Sequence, residues 1–387
     1  MLKILPVLQS LFRNKKFLAL LILAGLLIKL LMLPFFPEPG DYTFFLKPWV
    51  EFIRSHGYWQ AFRFEFANYS PPYLYFLLGI AKLGGEPLIP IKLVSIGFEY
   101  VAAWFIGGIA YQKYKEDWVR WCALAVVPLL PTVLINSSYW GQCDSVYASF
   151  LVGSIYFVLR KRSFLSILFL GISFSFKLQA VLLFPFYFVL LLRNRVKWYY
   201  FLLVPAVYLI SLLPAYCAGR PLTELLSVFI SQSEYYDSLS LQFPNLYMWI
   251  SDNHYETVKW IGILLTCLFA LLTGGLLAKK YRAQLTNDYL VRLAFLSAVI
   301  FPFLLPGMHE RYMYVGDLLA VAYIMYFPRK FYNALGIPLI SLFSYALCTS
   351  LNESLIRYLG VPVTIFYICV IGLLIRDFYL SSLKEGK

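Results

Sequence analysis

Pro71-Pro72-Tyr73-Leu74-Tyr75-Phe76-Leu77-Leu78-Gly79-Ile80-Ala81-Lys82-Leu83, closed by Gly84-Gly85, is the stretch on which the arrangement of the chain turns. From Pro72 to Leu83 it is apolar and about 12 residues long, so as a helix it reaches only some 18 Å. A bilayer core is about 30 Å thick. Its surroundings are strongly apolar too. Of 387 residues, 61% are hydrophobic and only 14% charged, against about half and a quarter in soluble domains. The balance excludes a soluble enzyme, a disordered chain and a small disulfide scaffold.

Twelve other apolar stretches are candidate spans: 17–36, 88–111, 120–137, 146–160, 164–179, 180–192, 198–216, 258–278, 289–306, 314–327, 331–350 and 359–376. The first follows Arg13, Lys15 and Lys16 and has no small-residue cleavage site after it, so an uncleaved span is expected. Whether 72–83 also crosses decides which side every later loop faces. If it does not, the side holding the N-terminus collects Lys3, Arg13, Lys15, Lys16, Lys113, Lys115, Arg120, Arg160, Lys161, Arg162, Arg193, Arg195, Lys197, Lys279, Lys280, Arg282, Arg292, Arg329, Lys330, Arg376, Lys384 and Lys387. That is 22 of the 33 Lys and Arg, joined by five acids, Glu116, Asp117, Asp288, Asp377 and Glu385. Cytoplasmic loops concentrate Lys and Arg. The expectation is therefore an all-α integral membrane protein, one polytopic domain over 1–387, with about 12 spans and both termini cytoplasmic. The net charge of +13 is an orientation signal and needs no nucleic acid.

This topology leaves two long outer segments, 37–87 and 217–255. The first interleaves apolar and charged residues at helical spacing, as an interfacial helix does; 72–83 then becomes a juxtamembrane or re-entrant helix. Four polar clusters fall on the same outer face. Glu38-Pro39-Gly40-Asp41-Tyr42 puts an acid in a fixed turn, as a general base, a cation ligand or a helix cap. Glu65-Phe66-Ala67-Asn68-Tyr69-Ser70 offers Asn68 and Tyr69 to a sugar or phosphate, or an aromatic belt. Asn136-Ser137-Ser138-Tyr139-Trp140-Gly141-Gln142-Cys143-Asp144-Ser145 combines rings that stack on sugars with Gln142 and Asp144, which bond hydroxyls. Met308-His309-Glu310-Arg311-Tyr312 sets three ionisable groups at a span end, a costly placement without a purpose. Arg311 and protonated His309 suit a phosphate, and Glu310 can orient either. His309-Glu310 lacks the second histidine of a metalloprotease motif, so a divalent metal is possible but not favoured. Lys177 either snorkels or meets an anionic head group. Lys29, Glu99 and Asp317 lie deeper, where charges pair or face a cavity. The six cysteines have no zinc or CxxC spacing.

Gly40-Asp41-Tyr42 with Trp49, Asn68-Tyr69-Ser70-Pro71-Pro72, Trp140-Gly141-Gln142-Cys143-Asp144-Ser145, Phe176-Lys177-Leu178-Gln179 and His309-Glu310-Arg311-Tyr312 together resemble the GT-C superfamily of polyprenyl-phosphate-sugar-dependent glycosyltransferases. The likeness is to prokaryotic relatives of the glycosylphosphatidylinositol-anchor mannosyltransferases. It implies a catalytic GT-C-like module over 17–314, with outer loop 37–87, and variable C-terminal spans over 315–387. It implies a polyprenyl-phosphate-linked monosaccharide donor, with mannose the family-weighted sugar, and a glycan or lipid acceptor. The reaction would be an inverting displacement at the extracytoplasmic face of the plasma or inner membrane, or in the endoplasmic reticulum of a eukaryote. Asp41 would be the general base. Arg311, His309 and Lys177 would hold the donor phosphate. Asp144, Gln142, Trp140, Asn68, Tyr69 and Glu310 would bind sugars or acceptor. Family members often carry a paired acid motif in the first outer loop; here Gly40 and Tyr42 flank Asp41. The alternative from another class is a transporter or lipid flippase, whose sites sit at the midplane.

Overall fold

The structure, a computed structural model, describes residues 10–38, 40–280, 285–350 and 353–385. Lys3, Pro39, Arg282 and Lys387 lie outside the described residues, as do the side chains of Lys280, Lys384 and Glu385. Helix α1 (Lys15–Met32) starts at Asn14, whose side chain accepts from the Lys16 and Phe17 N–H groups. Its far end is capped from another helix. Lys92 donates to the carbonyls of Met32 and Leu33, 3.3 and 3.0 Å away, and to that of Phe35. A buried ammonium thus satisfies carbonyls that a helix end leaves unpaired. One turn before that end, Lys29 pairs with Glu99 at 2.6 Å, both fully buried, and Ser137 donates to the same carboxylate. The two deep charges answer each other.

The first loop folds back as short helices. A π turn, Tyr42–Leu46, runs into α2 (Lys47–Ser55), which buries Trp49, Val50 and Ile53 and exposes Glu51. Helix α3 (Pro71–Leu83) opens on two prolines, whose missing N–H groups cost nothing at a helix start. It stops at Gly84 and Gly85, with φ +75 and +65, a backbone that suits glycine. Its 13 residues rise about 20 Å. It packs on α2, and Arg54 donates to its last-turn carbonyl at Ala81, 3.2 Å away. The amphipathic stretch and the short apolar one therefore form a single helical pair.

The remaining helices are α4 (Leu88–Tyr114), α5 (Trp118–Val126), α6 (Asp144–Leu159), α7 (Ser163–Phe176), α8 (Phe184–Leu192), α9 (Leu203–Cys217), α10 (Leu222–Ser233), α11 (Tyr255–Lys280), α12 (Asn287–Leu304), α13 (Tyr314–Tyr326), α14 (Tyr332–Ser350) and α15 (Glu353–Glu385). Helix α4 lies centrally, against α5, α6 and α13. At Gly107 a Cβ would come within 2.7 Å of the Arg120 Cα, so only glycine permits α4 and α5 to approach this closely. Among the described residues, five helices are long and apolar enough to cross a membrane, within 88–114, 198–217, 252–279, 287–304 and 358–382. A sixth arises if Trp118–Leu129 and Pro131–Tyr139, bent by 57°, count as one span. All twelve apolar stretches fall on helices, but α6, α7 and α13 have only 16, 14 and 13 residues. They rise about 20–24 Å, less than a bilayer core.

One end of the bundle is tied by ion pairs. Arg13 meets Glu116 at 2.9 Å, Lys113 meets Asp288 at 3.4 Å and Arg292 meets Asp377 at 2.8 Å. Lys330 and Tyr323 also donate to Asp377. The loops bearing the four polar clusters meet elsewhere, around strand β1 (Ser240–Leu241) lying parallel to β2 (Met308–His309). The Lys29–Glu99 pair should be costly to break from one side. Lys29→Met strands a buried carboxylate and should lose about 3–5 kcal/mol, whereas Lys29→Met with Glu99→Gln should recover much of that loss. Denaturant unfolding in detergent measures both; equal stability of the single and double variants would contradict the pairing.

Candidate active site

Two π turns set the site. Asp41 directly precedes the turn Tyr42–Leu46, and a second turn, Leu134–Tyr139, directly precedes Trp140. Such turns insert an extra residue into a helix and occur often at functional sites. After the second, Gly141 takes φ +72 and redirects the chain so that Gln142 donates its amide to Asp41. One hydrogen bond thereby joins the loop after α1 to the loop before α6.

Asp144 begins α6 and is fully buried. Its Oδ1 accepts from Lys177 Nζ at 2.6 Å and its Oδ2 from Asn136 Nδ2 at 2.8 Å. Asn136 also donates to Tyr345, 2.9 Å away, whose ring lies 4.9 Å from that of Trp140. Lys177 follows the last residue of α7 with extended backbone, which turns its side chain inward. Its ammonium stands 5.2 Å from the Tyr69 ring centre, within cation–π range.

Arg311 links the acids. It donates to Glu310 at 2.6 Å and stands 3.5 Å from Asp41 and 3.7 Å from Asp144. The pairing of β1 with β2 holds His309 beneath the loop after α10. Its imidazole lies 3.6 Å from Glu310 and 5.3 Å from the Tyr236 ring. Burial lowers the pKa of His309 despite Glu310, which favours the uncharged ring. Burial pushes Glu310 up, but Arg311 and His309 outweigh it and hold the carboxyl at about 2. Burial also disfavours the Arg311 charge, yet Glu310 and Asp41 keep its pKa well above the ordinary value.

A cavity of about 680 Å³ opens onto these groups, within the roughly 300–1,000 Å³ of small-molecule sites. Asp41, Asn68, Tyr69, Trp140, Gln142, Lys177, His309, Glu310 and Arg311 all line it. Asp144 does not. It was expected at a sugar, but the structure places it behind the wall, with Lys177 and Asn136 holding its oxygens. Sequence reasoning did not single out Tyr235 and Tyr236 of the lining, or Tyr345 behind it. It marks the run Gln242–Trp249 only as part of a loop expected to help shape acceptor choice, and Gln242 does line the cavity.

Three carboxylates, Asp41, Asp144 and Glu310, meet two permanent cations here, and Glu38 also lines the cavity, so acids outnumber permanent cations before any ligand arrives. Asp41, Asp144 and Glu310 are engaged by Gln142, Lys177 and Arg311. Among the described residues no three His, Cys, Asp or Glu are arranged to hold a metal ion. No protein-family model and no curated protein matches the chain.

The lowered pKa of His309 can be read directly, because the chain has three histidines. With ¹⁵N-labelled imidazoles, the signal lost in His309→Gln should titrate below the ordinary value of about 6.5 and stay neutral above it. A midpoint at or above that value would contradict the burial argument.

Proposed function

We propose that the chain is an integral-membrane glycosyltransferase of the GT-C kind. It moves one sugar from a polyprenyl-phosphate donor to a glycan or lipid acceptor at the extracytoplasmic face. The observation that carries this reading is Arg311 in contact with Asp41, Asp144 and Glu310 at the wall of one cavity. A base and a phosphate-binding fork within reach of each other are what displacement of a sugar from a phosphate requires.

In the proposed step the acceptor hydroxyl gives its proton to Asp41 and its oxygen bonds to the anomeric carbon. The bond from that carbon to phosphate breaks, and the electron pair leaves on the phosphate oxygen. Charge stays balanced: Asp41 becomes neutral as the departing phosphate gains one negative charge. Arg311 lies between them, so its attraction passes from Asp41 to the phosphate as the proton moves. Its planar fork suits phosphate oxygens. Lys177 supplies a second positive charge, and neutral His309 can donate one hydrogen bond. Asp144 is the counter-ion that holds both cations in place. Gln142 orients Asp41. Trp140, Tyr69 and Asn68 offer faces and hydrogen bonds to the sugar.

Twelve crossings with cytoplasmic termini would put all of this on one side. Arg13, Glu116, Asp288 and Asp377, all assigned to the inner side, belong to pairs at one end, and the cavity residues share another locality. Short helices such as α6 and α13 would then thin the bilayer locally. For a transporter or flippase, the deep charges should line a path. Lys29 and Glu99 instead bind each other, and Asp317, facing Thr132 and Ser341, is not in the cavity lining.

Radiolabelled transfer from polyprenyl-phosphate-sugar by the purified protein tests the proposal. Asp41→Asn should lower kcat by about 10²–10⁴. Arg311→Lys, which keeps the charge and loses the fork, should lower it by about 10²–10³. Undiminished transfer in Asp41→Asn would remove Asp41 as the base, and labelled sugar entering proteoliposomes without covalent transfer would overturn the reading.

A further inference from the structure

Beside the main cavity lies a second one of about 360 Å³. Phe45, Trp49, Asn68 and Tyr235 line both, so they form a thin partition between two chambers. The chambers differ in charge. Lys177, Arg311 and His309 face the larger one. No Lys, Arg or His side chain lines the smaller one, where Glu65 and Ser231 supply the remaining polar groups. Buried Arg220 pairs with Glu65 at 3.4 Å and with Glu224 at 3.5 Å.

A phosphate belongs with the cations, in the larger chamber. The smaller chamber suits an uncharged ligand with apolar faces and hydroxyl edges. Its rings offer stacking surfaces, and Asn68 Oδ1, at the partition, is buried with no hydrogen-bond partner. A buried acceptor without a donor is costly, and a ligand hydroxyl would satisfy it. Glu65 argues against a hydrocarbon tail, since a carboxylate loses hydration beside one.

We infer that the smaller chamber is the acceptor subsite. It takes a neutral, hydroxyl-rich sugar unit and presents one of its hydroxyls to Asp41 past the partition. This rests on the transfer reaction proposed above. The segment between α9 and α11, with Ser231 on α10 and Tyr235 just after it, then selects the acceptor.

The test places one thiol in each chamber and leaves the reacting groups untouched. Ser231→Cys lines only the smaller chamber and Phe44→Cys only the larger; both positions are exposed. Each is made in the full chain with exposed Cys217, Cys267, Cys348 and Cys369 changed to alanine. Maleimide labelling is followed with methyl glycosides of mannose, glucose and galactose, and separately with polyprenyl phosphate. At least one methyl glycoside should slow labelling at position 231 several-fold, and polyprenyl phosphate should slow it only at position 44. Unchanged labelling at 231 with every glycoside overturns the inference, as does protection of 231 by polyprenyl phosphate, which would mark a lipid-tail groove. Glycoside protection at 231 with no effect of polyprenyl phosphate at 44 would keep the sugar site and sink the transfer reading instead.

Discussion

Asp144 lies between Lys177 and Arg311, and the arrangement of the cavity depends on it. Two cations so close, out of water, would repel strongly without a carboxylate between them. Asp144 brings together the start of α6, the end of α7 and the loop between α12 and α13, three places far apart in sequence. Such buried pairs contribute little net stability, but removing one partner is expensive. Their effect is to fix geometry. Here the fixed geometry leaves the Lys177 and Arg311 side chains at the cavity wall, while the acid that neutralises them stays out of a ligand's reach.

The second constraint is the one between Asp41 and Arg311. A carboxylate 3.5 Å from a guanidinium cannot change its charge without changing what that cation attracts. In the proposed reaction this becomes a link between proton uptake at one end of the sugar and charge release at the other. The site needs such a link because it begins with more acid than permanent base. An incoming phosphate would be accommodated by exchange of partners around Arg311. The π turns before Trp140 and after Asp41 serve this arrangement, since each sets a side chain that the Gln142–Asp41 hydrogen bond then locks.

Much of this was legible in the chain. In a sequence so apolar, polar groups at the ends of apolar stretches stand out, because burying them is costly without partners. That principle alone singled out Asp41, Asn68, Gln142, Lys177, His309 and Arg311, which the fold brings to one cavity. What stayed hidden was partner choice, a property of three dimensions. Asp144 read like Gln142, two residues earlier, yet it is held by Lys177 behind the cavity wall. The match of Lys29 with Glu99, the caps on α1 supplied by Lys92, and the pairing of Ser240–Leu241 with Met308–His309 have no local signature. Nor does the local sequence show that burial lowers the pKa of His309. Apolar run length also overstated helix length: Lys177 at the end of α7 and Pro131 within the bent pair interrupt stretches that read as continuous.

The proposal stands on where a donor phosphate settles. It is tested most directly by a cryo-electron-microscopy structure of the Asp41→Asn protein in nanodiscs with intact polyprenyl-phosphate-sugar. The phosphate should lie within hydrogen-bond distance of Arg311 and Lys177, with the anomeric carbon turned toward position 41. A phosphate outside the cavity, or at the end tied by Arg13, Glu116 and Asp377, would contradict it.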